Sequence, residues 1–516
     1  MTNSNQDAVS RGFFQTLTSF GRAFWCSNVI ELLERWAYYG VRGGIAVYMV
    51  AAATVGGLEF SHLQKANIFF WWAAFQSLLP TVIGGHADHY GHKRTVAFAI
   101  SISVIGYISM ALVNGYWPFF IACMLVATGT AVFKPGIQGI LANSTTKENA
   151  TLGWSFFYMI VNIGGFTGPL IAGYLRLMSW KYVFITSACI HSLNFITLFF
   201  FDEPDRGHAA VEHNDRSLAE KISRVFREFW QVLFSSLKNL FDPPLMMFLA
   251  VFSGFWLMFM QLFDLLPNFI TDWVDTSRAV AFFGNLFGNQ GWIEYAQAGK
   301  QIPAEWLINL DAFAIIFLML PIGWVFGRMR PVAAMILGIF IASAGLVVAG
   351  YTMNVWLCCL GIFVFAIGEM IASPRKSEYL SMLAPPGKKG LYMGYVNFPQ
   401  GIGWMLGSSL AGPIYQYYGD KTTLARQYLV ENLNMAKETV AQLPLDQVLP
   451  TLSKALNHQS VQETTRFLFS TYHPERIWFV FAAVGILSML GMLAYDMMFE
   501  KKRQQQADAN SAAPAA

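Results

Sequence analysis

The sequence predicts an all-α membrane protein of about twelve transmembrane helices in two six-helix bundles. Three observations carry this. Apolar blocks of about twenty residues recur along the chain, matching a hydrocarbon layer roughly 30 Å thick. Charged residues are only 13% of 516, against 55% hydrophobic. A polar stretch divides the blocks into two equal sets. Soluble domains carry about 25% charged residues, so the depletion is roughly two-fold. The net charge of +3, with no basic patch interleaved with aromatics, argues against a nucleic-acid partner.

The first set of spans runs near 24–52, 66–86, 95–113, 117–141, 152–175 and 180–201. The second runs near 244–271, 307–327, 331–351, 354–373, 391–417 and 477–498. The expected domains are a cytoplasmic N-terminus (1–23), a first bundle (24–201), a linker (202–243), a second bundle (244–499) and a disordered cytoplasmic tail (500–516). In the linker, Ile222, Val225, Phe226, Phe229 and Trp230 recur at helical spacing opposite charges. This reads either as an amphipathic helix on the membrane surface or as a solvated loop with a helical turn. Two longer segments, 272–305 and 419–476, face outward. The second forms a small cap, with Thr422 to Gln442 helix-compatible.

Lys and Arg accumulate in cytoplasmic loops. With the N-terminus inside, the inner loops hold Lys93, Arg94, Lys147, Arg328, Arg330, Arg375, Lys376, Lys388 and Lys389. The short outer loops hold little beyond Lys65, Arg176 and Lys181. Both termini are therefore expected in the cytoplasm of a cell whose inner membrane the chain spans repeatedly. No removable leader is expected, since Arg11 and Arg22 are not followed by a short apolar core with a cleavage site. The cysteines Cys26, Cys123, Cys189, Cys358 and Cys359 lie in apolar blocks without metal-ligand spacing, and read as small core hydrophobes. No metal or cofactor is expected. No nucleophile, metal cluster or paired-carboxylate site stands out, so an enzyme is not expected either.

An ionisable residue at a helix centre costs roughly 2.5–3.5 kcal/mol on insertion scales. The first span holds several: Glu31, Glu34, Arg35, Tyr38 and Arg42 step by three or four residues and share one helical face. That face must look into the protein or a water-filled cavity. Glu31 and Arg35 can pair at four-residue spacing, leaving Glu34 and Arg42 for other partners. The set either relays a proton or is a static network holding helices together. Lys134, beside Pro135 and Gly136 in the fourth span, either faces a cavity or snorkels to the inner surface. In the second set the buried charges are acidic: Asp264, Asp311 and Glu369. A cationic wall (Arg42, Lys134) facing an acidic wall (Glu369, Asp264) suits a small zwitterion. Asp311 reads first as a helix cap near the outer surface.

At these residues the chain resembles the proton-dependent oligopeptide transporter family of the major facilitator superfamily. Glu31-Leu32-Leu33-Glu34-Arg35-Trp36, then Tyr38-Tyr39-Gly40-Val41-Arg42, is similar to its first-span signature. Gly84, Asp88, Gly91, Lys93 and Arg94 resemble the superfamily's gating loop. Phe133-Lys134-Pro135, the run from Phe157-Tyr158 through Asn162 to Gly164, and Gly368-Glu369 with Ser373-Pro374 resemble the fourth-, fifth- and tenth-span motifs.

The resemblance implies the major facilitator fold and proton-coupled uptake of di- or tripeptides by a monomer in the bilayer. It also implies roles. Glu31, Glu34 and Arg35 would couple protons. Arg42 and Lys134 would receive the peptide carboxylate, and Glu369 its amino terminus. Asn162, Tyr38, Tyr39 and Gln261 would line the substrate site. Two departures stand out. Met260 occupies the place of an expected seventh-span acid, which Asp264, four residues on, can replace on the same face. Asp311 stands about where an asparagine is expected. Rival expectations are proton-antiport export of amphiphilic drugs, which 16 Trp and 45 Phe would permit, and a non-transporting peptide sensor using the outer cap.

Overall fold

The computed structural model describes residues 18–146, 149–203, 242–383 and 395–500, with the side chains of 81–90, 150–152, 381 and 500 outside that set. The linker segment 204–241, the N-terminal arm before residue 18 and the C-terminal tail therefore lie outside the described residues. The first bundle contains α1 (Arg22–Val50), α2 (His62–Tyr90), α3 (His92–Leu112), α4 (Tyr116–Asn143), α5 (Ala150–Met178) and α6 (Trp180–Phe199).

The seventh span is broken into α7 (Pro243–Phe259), α8 (Gln261–Asp264) and α9 (Leu266–Trp273). Pro267 explains the break: it has no N–H for the carbonyl four residues back, and its ring crowds that turn. Next come α10 (Ser277–Phe287) and α11 (Gln290–Gln297), then the eighth span as α12 (Ala304–Ile308) and α13 (Leu310–Phe326). The ninth to eleventh spans are α14 (Pro331–Gly350), α15 (Val355–Leu383) and α16 (Phe398–Tyr418). Four short helices follow: α17 (Lys421–Glu431), α18 (Lys437–Ala441), α19 (Leu445–Ala455) and α20 (Val461–Tyr472). The twelfth span is α21 (Ile477–Tyr495).

Among the described residues, nine helices are long and apolar enough to cross a membrane by composition alone. The first span is not one of them, because its own charges dilute every membrane-length window. Large apolar side chains such as Phe199 (87% exposed) and Leu320 (84% exposed) point away from the protein, as lipid-facing residues must. Cys189 is among the exposed residues, so it packs outward rather than in the core.

Several expected boundaries move. The tenth span runs through Ser373-Pro374 to Leu383, although the sequence suggests that it stops there. The segment expected as one helix from Thr422 to Gln442 is split between α17 and α18. The cap helices bury Leu424, Leu429, Val448, Leu452 and Leu468 in an apolar cluster continuous with the core of the bundles. The cap is tied to the bundle where Trp273 Nε1 donates to the Gly419 carbonyl at 2.8 Å.

In the first bundle α1 packs on α5 and α6, and α3 on α4. In the second, α14 packs on α15, and α7 on α16 and α21. The halves meet where α2 lies along α16, α1 meets α8 and α9, and α5 meets α12 and α13.

The ninth and tenth spans touch backbone to backbone. A Cβ on Gly338 would sit 2.6 Å from the Gly368 carbonyl oxygen, and one on Gly368 equally close to that of Gly338. Gly338→Leu is expected to cost about 1–3 kcal/mol through overpacking. Thermal unfolding in detergent checks this, and an unchanged midpoint would show that the two helices have slack.

Candidate functional site

A cavity of about 640 Å³ lies between the bundles, and its wall includes Arg35, Tyr38, Tyr39, Arg42, Lys134, Asn162 and Glu369. The first span supplies its charges in two groups. Glu31 and Arg42 are eleven residues apart, or about 16 Å along the helix. They therefore serve opposite ends of the chamber.

At the end away from the cap, Lys134 Nζ donates to Glu31 Oε1 at 2.5 Å. Arg35 grips Glu34 with two nitrogens: Nε on Oε2, and Nη2 on Oε1 at 2.6 Å. Its Nε also lies 3.4 Å from Glu31 Oε1. The guanidinium stacks over Tyr38 and Tyr39, at 4.9 and 5.6 Å from the ring centroids. Glu31 is fully buried, whereas the Lys134 side chain is 27% exposed and lines the cavity. The expected division, with Glu31 on Arg35 and Glu34 left over, is thus rearranged. Adjacent residues on a helix rarely face each other, but the long arginine folds back to reach Glu34, and Glu31 turns to the fourth span.

The cap-side end is a seam between bundles. Arg42 forms an ion pair with Asp264 and lies over the rings of Phe69 and Trp404. Asp264 also accepts from Trp404 Nε1 at 2.7 Å and Ser408 Oγ at 3.0 Å. Lys65 donates to the Asp264 carbonyl at 3.1 Å and to Asn268 Oδ1 at 2.6 Å. On the other flank Arg176 meets Glu305 at 2.9 Å, and Asn309 Nδ2 donates to the Phe166 carbonyl at 2.7 Å. His62 lies 3.6 Å from Asp420. Burial alone would lift the Asp420 carboxyl, but hydrogen bonds from His62 and Thr423 hold it below its usual range. The seam joins the two bundles at the cap-side end of the cavity.

This corrects three expectations. Asp264 does not face Arg42 across the chamber as an opposing wall but is bonded to it, and it is absent from the cavity lining. Asp264 stays one helical turn from Met260, its N–H donating to the Met260 carbonyl at 3.0 Å, but only Met260 lines the cavity, because Arg42, Trp404 and Ser408 hold the Asp264 carboxylate in the seam. Gln261 is fully buried and donates to the Leu257 carbonyl at 2.7 Å, so it packs inside the bundle rather than in the chamber. Asp311 is no surface cap: it is 4% exposed and lines the cavity beside Glu369.

Tyr38 donates to Gln76 Oε1 at 2.9 Å, and Asn162 Nδ2 donates to the Tyr158 carbonyl at 2.9 Å. In the expected gating loop, Gly91 adopts a φ of 105°, open to glycine. Lys93 reaches the Phe201 carbonyl at 2.8 Å. The side chains of Gly84 and Asp88 are outside the described set. Lys65 and Arg176, expected in outer loops, lie within α2 and α5 and join the seam. Their partners lie 199 and 203 positions away for Lys65 and 129 for Arg176, and a local pattern does not show such distances. Among the described residues, no group of three or more His, Cys, Asp or Glu is placed to hold a metal.

Two bundles around a central chamber lined by buried ion pairs define a multi-pass membrane transporter. The profile of the Major Facilitator Superfamily matches residues 35–288. A peptide transporter of Yersinia enterocolitica, YePEPT, is 24% identical over 460 residues, spanning 76% of this chain and 86% of its own. The multidrug resistance protein MdtH of Photorhabdus laumondii is 21% identical over 333 residues, covering 64% of this chain and 73% of that one. The crystal structure of a POT family transporter in complex with 5-aminolevulinic acid superposes with a TM-score of 0.66 at 15% identity, covering 94% of this chain and 97% of that one. These likenesses support a transporter of the major facilitator fold, with peptide transporters among the proteins it is similar to.

Removing one partner of a buried ion pair leaves an uncompensated charge, costing about 3–5 kcal/mol. Arg42→Met is expected to lose that much stability, and adding Asp264→Leu to restore most of it. Chemical denaturation of the single and double variants in detergent checks this. Equal stabilities for the wild type and Arg42→Met would show that the pair is not desolvated.

Proposed function

We propose that this chain is a proton-coupled symporter that imports di- or tripeptides, or a related small zwitterion, by alternating access across a bacterial inner membrane. The observation that carries the reading is the Glu31–Lys134 ion pair, with its lysine exposed to the cavity. When Glu31 takes a proton its charge is lost, and Lys134 is freed to receive a substrate carboxylate. Proton binding and substrate binding then favour one another. Arg35 and Glu34 stand beside this pair and set its electrostatics. The Arg42–Asp264 pair serves as the cap-side gate rather than as a substrate anchor, which revises the role the family resemblance implies for Arg42. The cap is taken as extracellular and both termini as cytoplasmic, so the chamber beneath the closed seam is accessible from inside. The relatives that are peptide transporters support the substrate class.

Proteoliposomes with an imposed inward proton gradient test the reading. Labelled dipeptide is expected to accumulate above equilibrium with the wild type. With Glu31→Gln, exchange persists but the gradient no longer drives accumulation. With Glu369→Gln, KM rises by about tenfold or more, because a buried charge-assisted hydrogen bond is lost. No uptake under any gradient would sink the proposal.

A second reading, proton-antiport export of amphiphilic molecules, draws on the likeness to the multidrug resistance protein and on cavity-lining Tyr158, Trp256 and Phe259. Ligand-induced thermal shifts separate the two. Stabilisation by dipeptides favours the first, and stabilisation by hydrophobic cations favours the second.

A further inference from the structure

The charges lining the cavity do not balance evenly. Arg35, Arg42 and Lys134 are each bonded to a carboxylate, and Glu305 is bonded to Arg176. Asp311 and Glu369 differ. Both line the cavity within hydrogen-bonding reach of one another, and among the described residues no hydrogen-bond partner reaches Asp311 Oδ1 or Glu369 Oε2. The titratable groups facing them from neighbouring spans are the phenols of Tyr158 and Tyr39. No lysine or arginine among the described residues forms an ion pair with either.

A hydrogen bond between two carboxyl groups needs a proton on one of them, because two adjacent carboxylates only repel. A pair holding one proton carries a single negative charge and matches one substrate ammonium. The shared proton resides on either carboxyl, and Asp311→Asn reproduces the neutral, donor-bearing form of that side chain beside an ionised Glu369. When the proton leaves, the pair carries two charges and no longer matches a monocation.

We propose that Asp311 and Glu369 form a second proton-coupling site, in which one proton shared between the two carboxyls binds together with the substrate's ammonium. This rests on the peptide-symport reading and deepens it. Lys134 and Glu31 couple a proton to the carboxylate end of the substrate, and the Asp311–Glu369 pair couples a second to its amine end. The sign follows directly: affinity is greatest where the pair keeps its proton and falls as pH rises and the proton is lost.

The test is the dissociation constant of alanyl-alanine for the purified full chain, measured calorimetrically between pH 5.5 and 8. Each coupled proton weakens binding by up to about tenfold per pH unit above its titration. Asp311→Asn is expected to retain the acid-side affinity within a few-fold and to lose about one proton's worth of slope. Asp311→Ala, which cannot donate to Glu369, is expected to bind about tenfold or more weakly even at pH 5.5. A wild-type slope in Asp311→Asn, or loss of its binding at every pH, overturns the second site while leaving the symport reading standing. A wild type that binds no alanyl-alanine at any pH overturns both.

Discussion

A charge taken out of water into a membrane protein must meet an opposite charge or a proton, and this constraint organises the molecule. Glu31, Glu34, Arg35 and Arg42 sit in the first span because neighbouring spans supply compensation. Lys134 comes from the fourth and Asp264 from the seventh. Breaking one partnership leaves a cost of several kcal/mol, so helices that share a pair are held together as long as the pair is intact. Protonation is the one change that removes a charge without moving an atom far, which is why such pairs suit switching.

The two ends of the first span use the constraint differently. Toward the cap, Arg42–Asp264 is surrounded by Trp404, Ser408, Phe69 and Lys65, and the halves are locked across it. Away from the cap, Lys134 is bonded on one side and exposed to the chamber on the other. One pair joins the two bundles. The other offers a cation to whatever enters. Across the chamber, no lysine or arginine among the described residues forms an ion pair with Asp311 or Glu369.

Much of this was legible in the residues. Helical spacing put Glu31, Glu34, Arg35 and Arg42 on one inward face, and the motif matches placed Lys134, Asn162 and Glu369 in one chamber, where the structure has them. Partner choice was not legible. Pairing by four-residue spacing sent Arg35 to Glu31, but the geometry adds a two-pronged grip on Glu34. The same rule sent Asp264 into the chamber, but its carboxylate turns to Arg42, Trp404 and Ser408 in the seam. Asp311 looked like a cap because its block begins nearby, yet the short α12 precedes it and carries the eighth span's start further toward the cap.

Composition and block length alone determined that the chain crosses a membrane repeatedly, because the hydrocarbon layer fixes how long and how apolar a span must be. They determined too that the first span faces inward, since lipid cannot take its charges. Which charge meets which was decided only by the tertiary structure. Those meetings depend on helix breaks, on side-chain reach, and on contacts such as Arg42 with Asp264, separated by 222 positions. No local periodicity encodes such distances.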